Sequence, residues 1–266
     1  MKQWDWVEIV VERSFHDWLP RPISAISKSN LTIRHDKIME SRGKHAAARS
    51  VKALRAVFAY AAKLDLYNGA NVAKAVAVVD SRPRKRVLSA DETKKVLWAL
   101  DSPQFNEWVR PYFRLLMLTG VRRSNLEAAR WEDIDLDAGL WVIPASKSKS
   151  GEAMEVVLLP EAVEIMTIRK HLSKEWVFPS TRSSSGHLTE PHETWKQVLK
   201  VAEVPSDITI HDLRRTYGSL LVNAKVAMPI IAKALGHLNP ATTARHYAHV
   251  NVDAVREAWA GIGLAR

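Results

Sequence analysis

The chain has 266 residues, a length that suits two modest domains. Its residues are 47% hydrophobic and 26% charged, a composition that excludes a disordered chain. Its 39 Lys and Arg outnumber its 29 Asp and Glu by ten, which favours a polyanionic partner: nucleic acid or an anionic membrane face. The absence of cysteine excludes a disulfide framework, thiolate catalysis and cysteine-ligated metals. Without a signal-peptide core or a long apolar run, we expect a cytoplasmic protein of bacterial or phage origin with no membrane span.

The first part of the chain carries helical patterns. Apolar residues recur at helical spacing in residues 46–66, where Leu64 is the last position of the stripe. Weaker helical patterns lie around residues 6–19 and 31–40. We therefore predict a small helical domain over residues 1–80.

A basic segment, residues 81–88, separates this domain from the next. Its cations surround a proline, which resists helix formation. They are Arg82, Arg84, Lys85 and Arg86. The segment is either a solvated linker or a strap over a phosphate backbone. Ser89 and Glu92 then form a capping box that opens a new helix, so we place the second domain at residues 89–266.

The second domain is predicted to be mostly helical with one short β interlude. Residues 131–144 combine an acidic turn with a β-rich stretch, and residues 155–159 give another strand. Between them, residues 145–151 form a turn-rich loop that contains Lys147 and Lys149. This pattern predicts a hairpin with lysines at its tip.

Several common catalytic motifs are missing. The sequence has no phosphate-binding loop, no dinucleotide-binding glycine motif, no serine-hydrolase elbow and no zinc-protease motif. His246 and His249 lie three residues apart, but no carboxylate or cysteine accompanies them. We therefore expect no cofactor and no metal.

What remains is a series of cations followed by one tyrosine. In chain order the series is Arg122, Lys149, His211, Arg214, His237 and Tyr247. Taken singly, each has an ordinary structural interpretation: a helix cap, a solvated face, a soluble hairpin tip or a packed ring. His211 and Arg214 are spaced to share one helix face.

Together these residue types meet the demands of attack on a DNA phosphodiester. Two arginines can hold the non-bridging oxygens where negative charge develops. A lysine among other cations has a lowered pKa and can give a proton to the leaving oxygen. A histidine can accept the phenolic proton or hold a phosphate oxygen. A tyrosine hydroxyl, with a pKa of about 10, becomes a nucleophile only among such cations.

The motifs around these residues resemble the tyrosine recombinase, or phage integrase, family. They are TGVRRSNLEAARWEDID, then Lys149-Ser-Gly151, HDLRRT and LGHLNPATTARHYAH. The resemblance is strong over residues 88–250. Residues 1–80 resemble the end of the family's SAM-like core-binding domain, as in prophage and genomic-island integrases. The resemblance implies a mainly α, N-terminally shortened member of the family. Such a member has a helical core-binding domain and a larger mixed α/β catalytic domain with a small β-sheet.

The resemblance assigns roles to individual residues. It implies the catalytic set Arg122, Lys149, His211, Arg214, His237 and Tyr247. Lys147 is an alternative to Lys149, while Tyr217 lies too close to Arg214 in sequence to replace Tyr247. Arg123 and Arg215 become neighbours of the catalytic arginines and, with the basic segment, expected DNA contacts.

One position departs from the family pattern. The family often has a glutamate three residues after the first arginine, where this chain has Asn125. Because that acid usually supports local structure, we expect a small loss there and not a dead site.

The implied function is site-specific DNA recombination through a 3′-phosphotyrosyl intermediate, without ATP or metal. The implied partners are double-stranded DNA with attachment-type sites, a homotetramer on that DNA, and an accessory DNA-bending or directionality protein. A DNA-binding protein of the same fold without strand exchange, and type IB topoisomerase-like strand relaxation, stay open as alternatives. A membrane-surface protein fits the charge, but the chain lacks a basic amphipathic helix with a clear apolar face.

Overall fold

The computed structural model describes residues 4–78, 85–148 and 151–236. The chain divides into two compact units, Met1–Arg84 and Lys85–Arg266. Each unit has a hydrophobic core of its own. The division falls inside the basic segment of the sequence, at a point where proline and clustered cations oppose helix formation.

The first unit contains three α-helices, α1 (Asp5–Phe15), α2 (Lys28–Arg42) and α3 (Lys44–Lys63). Helix α3 packs against both of the others. The apolar stripe of α3 supplies three of the eight core residues, and the other five come from the rest of the unit. The core residues are Phe15, Trp18, Leu31, Val51, Leu54, Phe58, Ala73 and Val76. The helical patterns of the sequence therefore form the predicted bundle.

Helix α3 ends earlier than its sequence pattern predicts. Its last helical residue is Lys63, and Leu64 is the C-cap with an exposed side chain. Asp65 then takes a positive φ of 55°, a conformation that stops the helix. The prediction that Leu64 continues the buried stripe is wrong because the chain has already turned away from the helix axis.

The described part of the second unit contains seven α-helices. They are α4 (Ala90–Leu100), α5 (Val109–Thr119), α6 (Arg123–Glu127), α7 (Pro160–Arg169), α8 (His192–Val201), α9 (Ile210–Asn223) and α10 (Met228–Ala234). Helix α5 lies at the centre and packs against α4, α6, α7 and α9. The predicted capping box of α4 is confirmed: Ser89 Oγ accepts from Glu92 N, and the Glu92 carboxylate accepts from Ser89 N.

A three-stranded antiparallel sheet interrupts these helices, with strands β1 (Ile134–Asp135), β2 (Leu140–Ile143) and β3 (Met154–Val157) in that order. Alternate side chains of β2 and β3 are buried, so one face of the sheet joins the core. The predicted hairpin is β2–β3. Its second strand begins one residue earlier than predicted and ends two earlier, because Pro160 starts α7 soon afterwards.

Two classes of feature are missing from this part of the molecule. No helix within the described ranges is long and apolar enough to cross a membrane. The same residues do not bring three or more His, Asp or Glu side chains together as metal ligands. His246 and His249 lie outside the described residues.

Candidate active site

Arg122 is presented by a sharp turn between two helices. Helix α5 closes at Gly120, which has a left-handed φ of 61° and donates its N–H to Leu116 O at 3.0 Å. A Cβ at this position would lie 2.2 Å from Cδ1 of Tyr217, so only glycine fits. Arg122 follows two residues later, with extended backbone, as the N-cap of α6. The Thr-Gly-Val-Arg sequence therefore ends one helix and begins the next, and this arrangement positions the side chain of Arg122.

The guanidinium of Arg122 is partly buried. Its Nη1 is buried and has no hydrogen-bond partner among the described residues. Burial lowers the pKa of Arg122, although an arginine side chain still keeps its charge at neutral pH. A buried, unpartnered donor costs about 1–3 kcal/mol of folding free energy. Such a nitrogen is suited to an anionic oxygen acceptor, which would offset this cost.

Arg214 ties three distant segments together. It lies on α9 and is only 5% exposed. Its Nη1 donates to Gly120 O at 2.8 Å, and its Nη2 donates to Leu235 O. One bond holds the turn that presents Arg122, and the other holds the C-cap of α10. The planar fork of an arginine presents a separate nitrogen to each of the two carbonyls, whereas a lysine has only one nitrogen.

His211 stands in the first turn of α9, which a second capping box fixes. Thr209 N and Oγ1 both donate to Asp212 Oδ2 at 2.7 Å. Asp212 is completely buried. This cap sets where the helix begins, and so it sets the direction in which His211 and Arg214 leave α9.

The electrostatic environment favours neutral His211. Desolvation of the ring is the largest cause of its lowered pKa, and the charges of Arg215, Arg214 and Arg122 lower it further, against an opposing effect of Asp212. The pKa therefore lies below the ordinary 6.5, and the imidazole is neutral and able to accept a proton at pH 7. Its side chain keeps contact with solvent.

The structure thus brings together three of the six predicted catalytic residues: Arg122, His211 and Arg214. Lys149, His237 and Tyr247 lie outside the described residues. Their positions in an active site stay predictions.

The alternative lysine of the hairpin has a structural partner. Lys147 Nζ forms an ion pair with Asp133 Oδ2 at 2.7 Å, and this carboxylate is largely buried. The pair joins the loop between β2 and β3 to the segment before β1. This ion pair gives Lys147 a structural role, and the choice between Lys147 and Lys149 as proton donor stays a prediction.

Two of the predicted DNA-contact arginines also have carboxylate partners. Arg123 Nη1 donates at 2.8 Å to Glu127 Oε1, which is buried and also accepts from Glu190 N at 2.8 Å. Arg215 donates to the buried Asp212. Both arginines therefore stabilise the helices that contain the catalytic candidates. Their contacts with DNA stay predictions.

Arg86, in the basic segment, is bonded to two carboxylates of the second unit. This side chain binds both carboxylate oxygens of Glu92 and lies 3.1 Å from Asp207 Oδ2. The hydrogen bonds from Arg86 lower the pKa of Glu92 to about 2. Arg86 therefore fixes the start of the second unit. The exposed Lys85 has no ion pair in the described part of the chain, and its contact with DNA stays a prediction. Arg82 and Arg84 lie outside it.

Residues 86–253 match the family model described as the phage integrase family. The chain belongs to the phage integrase family. This confirms the resemblance inferred from the four motifs. Prophage integrase IntF of Escherichia coli (strain K12) is 31% identical over 199 residues, which cover 73% of this chain and 41% of that relative. Tyrosine recombinase XerC of Thermodesulfovibrio yellowstonii is 26% identical over 240 residues, or 84% of this chain and 77% of that one.

This family member spans less than half of the length of the phage and prophage integrases that it matches. Among solved structures, the Tn1549 transposon integrase in complex with transposon right end DNA has a TM-score of 0.73 at 16% identity, covering 96% and 93% of the two chains. A lambda integrase tetramer bound to a Holliday junction has a TM-score of 0.71 at 20% identity, covering 90% and 70%. These likenesses confirm the predicted fold: mainly α with a small sheet.

Asn125 is the position at which the sequence is expected to depart from the family pattern. It is 7% exposed, and its Nδ2 has no hydrogen-bond partner in the described part of the chain. The side chain lines a cavity of about 210 Å³, together with Asp133 and Lys147. The amide is therefore a buried donor without a partner among the described residues, and the expected small loss at this position stays a prediction.

Proposed function

We propose that this phage integrase is a site-specific DNA recombinase that cleaves and rejoins DNA strands through a 3′-phosphotyrosyl intermediate. One observation carries the proposal: three widely separated segments converge to put neutral His211 within the electrostatic reach of Arg214 and of Arg122. The buried Nη1 of Arg122, unpartnered within the described residues, is suited to a phosphate oxygen. Family membership supports the same chemistry.

The cleavage step forms one phosphorus–oxygen bond, breaks another and transfers two protons. The Tyr247 hydroxyl oxygen attacks the phosphorus, its proton passes to His211, and the bond from phosphorus to the 5′ oxygen breaks. Lys149 gives a proton to that leaving oxygen. Arg122 and Arg214 hold the non-bridging oxygens, where negative charge increases in the transition state.

Rejoining is the reverse of this step. A 5′-hydroxyl of a partner duplex attacks the phosphotyrosyl phosphorus, and the tyrosine oxygen leaves. Because the energy of the phosphodiester is kept in the covalent link, neither ATP nor a metal is required. His237 assists by holding a phosphate oxygen.

The environments of the other tyrosines support Tyr247 as the nucleophile. The chain has five tyrosines. Tyr60 and Tyr67 belong to the first unit. Tyr112 is completely buried, and burial raises its pKa strongly. Burial also raises the pKa of Tyr217, opposite to the activation that a nucleophilic phenol needs.

The proposed partner is double-stranded DNA with attachment-type sites, on which four copies assemble. In this proposal residues 1–80 act as the core-binding domain and 89–266 as the catalytic domain, with 81–88 as the linker between them. An accessory DNA-bending or directionality protein is a further proposed partner. Most of the binding energy would come from phosphate contacts, so affinity should fall steeply as salt rises.

Covalent capture tests the proposed nucleophile. The protein is incubated with nicked duplex fragments from the DNA that flanks its gene, quenched with detergent, and the attached DNA is recovered. Wild type and the matched control Tyr217→Phe should both give adducts. Tyr247→Phe should bind the same DNA and give none, because the attacking oxygen is missing. Adducts that persist in Tyr247→Phe would disprove the assignment.

The same assay separates the alternative functions. DNA binding without any adduct from wild type would favour a binding protein that does not exchange strands. Adducts accompanied by relaxation of a single supercoiled plasmid, with no joining of two sites, would favour topoisomerase-like chemistry.

The lowered pKa of His211 predicts the acid side of the pH–rate profile. Because the neutral ring accepts the phenolic proton, the single-turnover cleavage rate should hold as pH falls to about 6.5 and decline only at lower pH. His211→Gln should cleave about 10²–10⁴-fold more slowly and lose this acid limb. An unchanged limb in His211→Gln would assign the titration to another group.

A further inference from the structure

Two side chains of α9 hold the glycine that precedes Arg122. Arg214 donates a hydrogen bond to the Gly120 carbonyl, as described above. One turn further along α9, the ring of Tyr217 packs directly on the same glycine. A Cβ on Gly120 would lie 2.2 Å from Cδ1, 2.7 Å from Cγ and 2.8 Å from Cε1 of that ring. The aromatic face therefore occupies the space that any side chain at this position would need.

Backbone hydrogen bonds hold the two ends of the turn: Gly120 N closes α5, and Arg122 O accepts from Asn125 N at 2.9 Å as α6 begins. Between them, Val121 N reaches Thr119 Oγ1 only at a long 3.5 Å. The side chain of Arg122 has a buried nitrogen without a partner in the described part of the chain. The direction of Arg122 is therefore set by its backbone and by what packs on that backbone.

We propose that the ring of Tyr217 is a positioning residue for Arg122. The ring fixes the Gly120 turn, and the turn aims the guanidinium at the phosphate. This inference rests on the proposed function, in which Arg122 holds a non-bridging oxygen. The ring supplies the effect and the hydroxyl does not, because the contacts with Gly120 are made by ring carbons.

A double-mutant cycle tests this positioning role. The variants are Tyr217→Phe, Tyr217→Ala, Arg122→Lys and the double variant Tyr217→Ala/Arg122→Lys. Each is assayed for single-turnover cleavage of the nicked substrate, DNA affinity and thermal unfolding. Tyr217→Phe should cleave within about twofold of wild type. Tyr217→Ala should cleave about 10²-fold more slowly, the penalty of a misplacement of about 1 Å, with DNA affinity unchanged.

The cycle distinguishes positioning from general stability. In the Arg122→Lys background, Tyr217→Ala should add less than about a threefold loss, because the group it positions has already been replaced. An equal loss in both backgrounds would overturn the proposal. Arg122→Lys cleaving as fast as wild type would instead refute the proposed function, so the two failures are distinguishable.

A second variant covers the case in which alanine unfolds the domain. Tyr217→Leu keeps apolar volume but removes the flat ring that fits against the glycine. It should repeat the loss of cleavage and the non-additivity with Arg122→Lys, while its unfolding midpoint stays near that of wild type. Full cleavage by a folded Tyr217→Leu would overturn the requirement for the ring.

Discussion

Replacement of Arg122 by methionine should abolish cleavage and at the same time stabilise the fold. The guanidinium has a buried nitrogen without a partner among the described residues, so the folded protein bears its desolvation without compensation. Methionine fills a similar volume without a buried donor, and we expect about 1 kcal/mol of added stability. Single-turnover cleavage should fall by about 10²–10³-fold or more, the loss typical of removing one oxyanion donor.

The neighbouring arginine provides a matched control of opposite sign. Arg123→Met removes the ion pair with Glu127 and leaves a buried carboxylate, which should cost about 1–3 kcal/mol of stability. Its cleavage rate per folded molecule should change much less than that of Arg122→Met. Urea unfolding and covalent capture on the same preparations give both quantities. If Arg122→Met were as destabilised as Arg123→Met, Arg122 would be a structural residue.

Local signals explain why much of this site could be predicted. The capping box at Ser89 depends on residues only three apart, and so does the helix-face pairing of His211 with Arg214. Gly120 ends a helix immediately before Arg122, which is a short-range pattern as well. Such signals do not depend on tertiary contacts, so the sequence could place Arg122, His211 and Arg214 on their elements, while the places of Lys149, His237 and Tyr247 stay predictions.

The partners of the charged residues were harder to predict from the sequence, for two different reasons. Arg123 pairs with Glu127 at a spacing of four, which is a local signal present in the sequence. Arg86 instead pairs with Asp207, 121 residues away, and only the packing of the second unit brings them together. The contact of Tyr217 with Gly120 is of the second kind. Composition and spacing contain no signal for a ring that packs on a distant glycine.

The second large effect is expected at Arg214. Arg214→Met should lose both cleavage and stability, because the change leaves the carbonyls of Gly120 and Leu235 without their donor. Because a buried, charged group donates both hydrogen bonds, we expect the free energy of unfolding to fall by about 2–4 kcal/mol. Cleavage per folded molecule should fall at least as far as in Arg122→Met. Arg214→Lys should rescue little, because its single nitrogen replaces the two separate nitrogens that bond Gly120 O and Leu235 O.

Hydrogen exchange separates the two arginines more sharply than activity does. Loss of the bond to Leu235 should free the C-cap of α10, so amides of Met228–Ala234 should exchange faster in Arg214→Met and Arg214→Lys. The same amides should be unaffected in Arg122→Met, whose side chain makes no hydrogen bond through Nη1 within the described part of the fold. Unchanged exchange in the Arg214 variants would refute the structural part of its role. Faster exchange in the Arg214 variants alone would show that these two arginines, with one proposed catalytic task, differ in their effect on folding. Arg214 stabilises the fold through its two hydrogen bonds. Arg122 Nη1, which has no partner within the described residues, lowers the free energy of unfolding until a phosphate binds it.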